Sequence, residues 1–208
     1  MLYDRYRYIY PPRPKNATTI DKLDYFDDGT FIAQNKWNGS NCLLFTNGDT
    51  QFIMNRDNER MSNFRISKEE LDQISPKGVW NVFNGEYLNK NKMYGKDSFN
   101  HKLILYDILV HNNNYLIGST TEFRISLLGN MFSIKKEEEL YYNITDNICL
   151  TKSFHYNFRR VYSYSSNDVI EGVVLKRKNA KLEVGFSDKN NGSKQMLKIR
   201  KPTKNYSF

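Results

Sequence analysis

The chain has 208 residues, 14% of them aromatic, and a formal net charge of +8. That length and aromatic content suffice for one domain with a buried core and exclude a disordered segment. The positive balance fits a partner that carries phosphates, and it also follows from AT-rich codons, which favour Lys, Asn, Ile and Tyr.

Two cysteines, Cys42 and Cys149, allow no disulfide framework. The histidines, His101, His111 and His155, are too scattered for a zinc pattern. The first thirty residues hold Asp4, Arg5, Arg7, Arg13 and Lys15 without an apolar stretch, and no later run reaches the length of a membrane span. The expectation is a soluble, cytoplasmic protein with no signal peptide and no membrane partner. Codon-driven composition and small size point to a viral or phage source.

In chain order, Tyr6-Arg7-Tyr8-Ile9-Tyr10 alternates basic and aromatic residues ahead of Pro11-Pro12-Arg13-Pro14. It reads as an edge strand followed by a stiff polyproline turn, with a nucleic-acid arm as the alternative. An apolar strand, Thr30 to Ala33, leads to Lys36-Trp37-Asn38-Gly39. Cys42–Phe45 and Gln51–Met54 form a hairpin closed at Asn47-Gly48. Ser67-Lys68-Glu69-Glu70 is a capping box opening a helix that ends near Pro76-Lys77-Gly78.

Trp80 to Leu88 and Lys102 to Val110 read as strands, and Tyr115 to Ile117 as a segment pairing back. Ser119-Thr120-Thr121-Glu122 is a second capping box, starting a helix that runs through Arg124 to about Gly129. Lys135 to Glu139 reads as a solvated helical face. Ile148 to Phe154 is expected as a strand and Tyr156 to Tyr164 as a helix. Val169–Lys176, Lys181–Phe186 and Gln195–Arg200 finish as strands, with Ser187 to Ser193 as a mobile loop. No internal repeat or linker appears. The pattern is a single sheet-rich α+β domain over residues 1–208.

Several short strings carry chemistry. A lysine at a strand end before a glycine turn is placed to be a covalent nucleophile, because Gly39 lets backbone approach a phosphate-bearing ligand. Asn41 follows two residues after Gly39, and Arg56 lies in Asn55-Arg56-Asp57. Asn84-Gly85-Glu86 ends a strand with an acid, and Leu103 to Asp107 ends in Tyr106-Asp107. Ile170-Glu171-Gly172-Val173-Val174-Leu175-Lys176 begins with an acid and ends with a base. Leu197-Lys198-Ile199-Arg200 puts two cations on one strand face. Singly, each also reads as an exposed strand end, a core aromatic or a solvated face.

As an ordered set they resemble the motifs of the covalent nucleotidyltransferases, the ATP-dependent DNA and RNA ligases and mRNA capping enzymes. The resemblance runs from Lys36 to Arg200. It implies a fold of mainly antiparallel sheets with flanking helices, the ATP-grasp-like adenylyltransferase domain. It also implies that Lys36 attacks the α-phosphate of ATP to form lysyl-AMP, helped by Lys198, Arg200 and Mg2+ or Mn2+. Glu171 would hold the metal, Glu86 the ribose and Arg56 the ribose or a phosphate. Tyr106 and Val173 would stack on the two faces of the base. Gln34 would read the base edge, and Gly39, Asn41 and Lys176 would complete the nucleotide site.

Lys-x-Asn-Gly-x-Asn is most similar to the RNA ligase 2-like group, which favours RNA ends, nicked or duplex, over DNA. A minimal DNA ligase is the alternative, followed by a capping-type guanylyltransferase and an inactive nucleotide- or nucleic-acid-binding module. Arg200 stands where the family has lysine. Only eight residues follow Arg200, so no OB-fold domain is expected, and a partner protein is an alternative source of that surface.

Overall fold

The computed structural model describes residues 1–187 and 192–202. Strand β1 is Arg13–Ala17, later than the edge strand expected at Tyr6–Tyr10. There the aromatic side chains pack instead of placing their backbone in a ladder. Tyr3, Tyr8 and Ile9 are buried, and Tyr6 stands edge-on to Phe45 and Phe52. Residues 3–10 form a strap over a sheet face.

Helix α1 (Leu23–Phe26) precedes β2 (Phe31–Trp37), β3 (Ser40–Thr46) and β4 (Gln51–Asn55). The β3–β4 turn forms as expected: Asn47 Oδ1 accepts from Asp49 N and Thr50 N. Ser67 caps α2 (Lys68–Asp72) by accepting from Glu70 N. Glu70 does not close the box. Its carboxylate accepts from Thr145 Oγ1 and from both nitrogens of Asn147, and the helix stops short of Pro76.

β5 (Asn81–Leu88), β6 (Met93–Tyr94), β7 (Asp97–Ser98), β8 (Lys102–His111) and β9 (Asn114–Tyr115) follow. The cap of α3 (Thr121–Asn130) is Thr120, which accepts from Phe123 N, one residue later than the motif suggested. The charge run expected to be helical contains β10 (Lys136–Glu137), paired with β11 (Tyr141–Asn143). Both β10 residues are exposed, so the hairpin forms without burying a charge.

The strand expected at Ile148–Phe154 splits at Lys152 into β12 (Ile148–Thr151) and β13 (Ser153–Phe154), which join different sheets. Helix α4 (Phe158–Ser163), β14 (Ile170–Arg177) and β15 (Gly192–Arg200) complete the elements. Lys181–Phe186 is not a strand. Leu182 is buried and exchanges backbone hydrogen bonds with Gly118 and Ser119, not with a sheet. Residues 188–191 of the expected mobile loop lie outside the described residues.

One sheet has the order β1-β15-β14-β2-β13; the other runs β10-β11-β12-β8-β5-β3-β4, with β9 beside β8. Only β1–β15 and β12–β8 are parallel among these pairs, so the α+β, mainly antiparallel expectation is met. Helices α1 and α4 cover one face of the first sheet through Leu23, Phe158 and Val161 against Ala33 and Val173. The second sheet is covered by α2 and α3 on one face and the strap on the other. Trp37 and Ile170 meet Ile104 and Cys149 where the two sheets approach. Each fully buried Leu, Ile, Val or Phe among these stabilises the fold by about 1.5–3 kcal/mol. Among the described residues, no helix is long and apolar enough to cross a membrane.

Candidate active site

The chain passes from β2 in one sheet to β3 in the other at Asn38-Gly39, and a cleft of about 710 Å³ opens beside that crossing. Its floor is β2, β14 and β15. Lys36 lies opposite Gly172, which lies opposite Arg200; Gln34 lies opposite Val174, which lies opposite Lys198. Residues directly opposite in antiparallel strands share a face. The lysine, the arginine and Lys198 therefore project into one space.

Gly172 is required there. Its φ is +148°, and a Cβ would lie 1.9 Å from Ile199 O. The residue before it, Glu171, is an extra residue in β14, because Ile170 pairs with Trp37 while Gly172 pairs with Lys36. Such a bulge re-aims a side chain. Glu171 consequently reaches the cleft, where Oε1 accepts a hydrogen bond from Lys36 Nζ and Oε2 lies 3.5 Å from Arg200 Nε.

The same bulge overturns one expectation. Val173 does not face a base site; it is fully buried beneath the sheet against α1 and α4. Val174 lines the cleft in its place.

The opposite wall comes from β3, β5 and β8. Tyr106 is also an extra residue, since Asn84 pairs with Asp107 and Gly85 with Leu105. Its hydroxyl accepts from Asn41 Nδ2 at 2.6 Å, and the same nitrogen reaches Asn84 Oδ1 at 3.0 Å and Gly85 O at 3.1 Å. Burial raises the Tyr106 phenol well above its ordinary range. Beneath it, Lys176 Nζ lies 4.8 Å from the ring centroid and 3.3 Å from Tyr106 O. Lys176 is buried, which lowers its pKa to about 8 although Asp107 opposes the shift. Gln34 Nε2 donates to Ser153 Oγ at 2.9 Å and Tyr106 O at 3.4 Å.

Glu86 accepts from Gly39 N at 3.3 Å. Burial pushes its pKa up to about 7; Lys36 pulls it down and the charge of Glu171 adds to the rise. Gly39 meets a tighter demand than ligand access, since a Cβ would sit 2.5 Å from Tyr87 O. Lys198 is lowered by burial and by its neighbours Arg200 and Lys36. Arg56 stands at the lip, largely exposed, 3.6 Å from Asp57.

Some contacts of these segments were not visible in the sequence. Asp107 turns away from the cleft and takes a two-pronged ion pair from Arg124 of α3, at 2.9 and 3.1 Å. That pair docks α3 on β8 directly behind Tyr106. Asn38 donates through Nδ2 to Asp168 O at 2.9 Å, and its own carbonyl accepts from Lys92 Nζ at 2.7 Å. The turn after Lys36 is thereby fastened to the segment leading into Glu171.

Among the described residues no cluster of three or more His, Cys, Asp or Glu side chains forms a metal cage. Glu171 and Glu86 both line the cleft and are a donor set suited to a hard cation that takes its other ligands from phosphate and water.

The backbone decides the comparison with known proteins. The chain has the fold of the ATP-dependent DNA ligases. It superposes on mycobacterial DNA ligase D, solved with ATP and MES, with a TM-score of 0.62 and 16% identity, covering 92% of this chain and 60% of that one. The bacteriophage T7 ATP-dependent DNA ligase, solved with ATP, gives 0.57 and 14% over 92% and 68%. A Lig E DNA ligase gives 0.56 and 13% over 92% and 69%. This chain therefore spans about three fifths of the mycobacterial structure. No protein-family model and no curated protein matches the sequence.

Proposed function

We propose that this chain is the nucleotidyltransferase domain of an ATP-dependent polynucleotide ligase that carries AMP on Lys36. The observation that carries the reading is Lys36 Nζ, set in the cleft beside Glu171 and flanked by Lys198 and Arg200, on the ligase fold.

The lone pair of Lys36 Nζ attacks the α-phosphorus of ATP and the nitrogen sheds its proton; the bond from the α-phosphorus to the oxygen it shares with the β-phosphate breaks and pyrophosphate leaves. A 5′-phosphate oxygen of the polynucleotide then displaces Lys36 from the AMP phosphorus. A 3′-hydroxyl finally attacks the activated 5′-phosphate and AMP leaves. Lys198 and Arg200 offset charge developing on the transferred phosphate. Glu171 and Glu86 would hold Mg2+ or Mn2+, which supplies positive charge at the reacting phosphate.

Tyr106 stacks on the base, with Val174 in the role first given to Val173 and Gln34 and Lys176 closing the base end. Glu86 accepts from the ribose, and Arg56 at the lip meets a phosphate. Gly39 and Asn41 shape the wall between them.

For the receiving strand, Asn38 and Asn41 support RNA. The DNA ligases among the solved structures support DNA as a second reading. Nicked duplexes whose 3′-hydroxyl strand is RNA or DNA decide between them: sealing of the RNA nick is expected, and sealing of the DNA nick alone would reverse the preference. Covalent label from GTP instead of ATP would indicate capping chemistry.

A further inference from the structure

The strap over residues 3–10 carries side chains that the proposed reaction does not use. Tyr3, Tyr8 and Ile9 point inward and are buried, whereas Arg5, Tyr6 and Arg7 are exposed. The strap is fastened to the turn after β4. Tyr6 Oη donates to Asn58 Oδ1 at 3.1 Å, and Tyr8 Oη donates to Asn55 O at 2.8 Å.

That turn is also the cleft lip. Asn55, Arg56 and Asp57 line the cleft, as do Pro12 and Arg13 beyond the end of the strap. Arg60 ends the same turn, its guanidinium 5.1 Å from the Phe52 ring centroid, and Phe52 packs edge-on against Tyr6. The acids here are Asp4, Asp57 and Glu59. Asp57 lies 3.6 Å from Arg56 Nε, and Glu59 accepts from Asn55 Nδ2 at 3.0 Å. Arg5 and Arg60 have no ion-pair partner among the described residues.

Outward cations interleaved with an exposed ring, continuous with the lip of a phosphate-chemistry cleft, form a surface suited to a polynucleotide. Arginines neutralise phosphates, and the ring offers a face to a base. We propose that the strap and the 55–60 turn are a track for the substrate polynucleotide as it leaves the cleft, with Arg5 and Arg60 on backbone phosphates and Tyr6 as a stacking platform. The track rests on the ligase reading.

The test compares the wild type, an Arg5→Glu/Arg60→Glu double variant and a Lys135→Glu control. Lys135 is an exposed cation paired with Asp146, distant in sequence from both segments. Two quantities are read: AMP loading from ATP, which needs no polynucleotide, and nicked-duplex binding by fluorescence anisotropy from about 50 to 200 mM salt. The double variant should load AMP like the wild type, bind the nick at least about tenfold more weakly, and show a salt slope smaller by about one to two. The control should bind like the wild type. Equal nick affinity in the double variant and the wild type overturns the track, as does an equal loss in the control, which would reduce the effect to net charge. Should the double variant unfold, Arg5→Glu alone carries the same comparison. A wild type that loads no AMP contradicts the ligase reading itself, so the two failures are distinguishable.

Discussion

Lys36 and Glu171 are joined side chain to side chain, although their strands pair Lys36 with Gly172. The bulge in β14 brings the carboxylate across by one residue, and the missing side chain of Gly172 leaves the space. The lysine and the acid are thus set by backbone register, which makes the cleft sensitive to changes that remove neither side chain.

Gly172→Ala tests that dependence. Its Cβ would meet Ile199 O at 1.9 Å, on a backbone with φ of +148°, so β14 and β15 must part or the bulge must flatten. A loss of about 2 kcal/mol or more in urea unfolding is expected, together with loss of AMP loading. A variant with wild-type stability and loading would show that the bulge does not hold Glu171 in place.

The Asp107–Arg124 pair predicts a stability effect away from the chemistry. Both side chains are nearly fully buried, at 4% and 3% exposure. Arg124→Met strands a buried carboxylate and should cost about 3 kcal/mol, whereas adding Asp107→Leu should recover a good part of it. A double-mutant cycle by denaturant unfolding measures this; additive losses would contradict the coupling.

Glu86 predicts a pH dependence. Burial raises its pKa from 4.5 to about 7, so the folded state holds the proton more tightly than the unfolded chain. Its contribution to stability is complete below about 4.5 and is lost as pH rises through about 7. Unfolding free energies at pH 5 and 7.5 should differ less in Glu86→Gln than in the wild type. AMP loading, which on this account uses the ionised Glu86, should gain activity through about pH 7, and the variant should lose that inflection. An unchanged pH profile in the variant would assign the effect to another group.

Much of the cleft was legible because its residues lie at the ends of apolar runs beside glycines: Lys36 before Gly39, Glu86 after Gly85, Glu171 before Gly172. Alternation along a strand could not give the bulges, because a bulge is a property of the partner strand's register. Counting by two from Glu171 puts Val173 in the cleft, and the extra residue moves that place to Val174. Glu171 and Lys176 are five apart, an odd spacing, so placing both in one cleft already required a shift of phase. Arg124 gave no signal, since its partner is defined only once α3 packs on β8. The strap was misread as a strand because buried aromatic side chains fix it, while its backbone makes isolated hydrogen bonds, such as Tyr3 N to Asn113 O, and joins no sheet.

Direct observation of the covalent intermediate tests the central claim. The protein is incubated with ATP labelled at the α-phosphate and Mg2+ or Mn2+, and the labelled peptide is mapped by mass spectrometry. One acid-labile AMP adduct on Lys36, absent from Lys36→Ala, is expected. No adduct with either metal, or label that persists in Lys36→Ala, would contradict it.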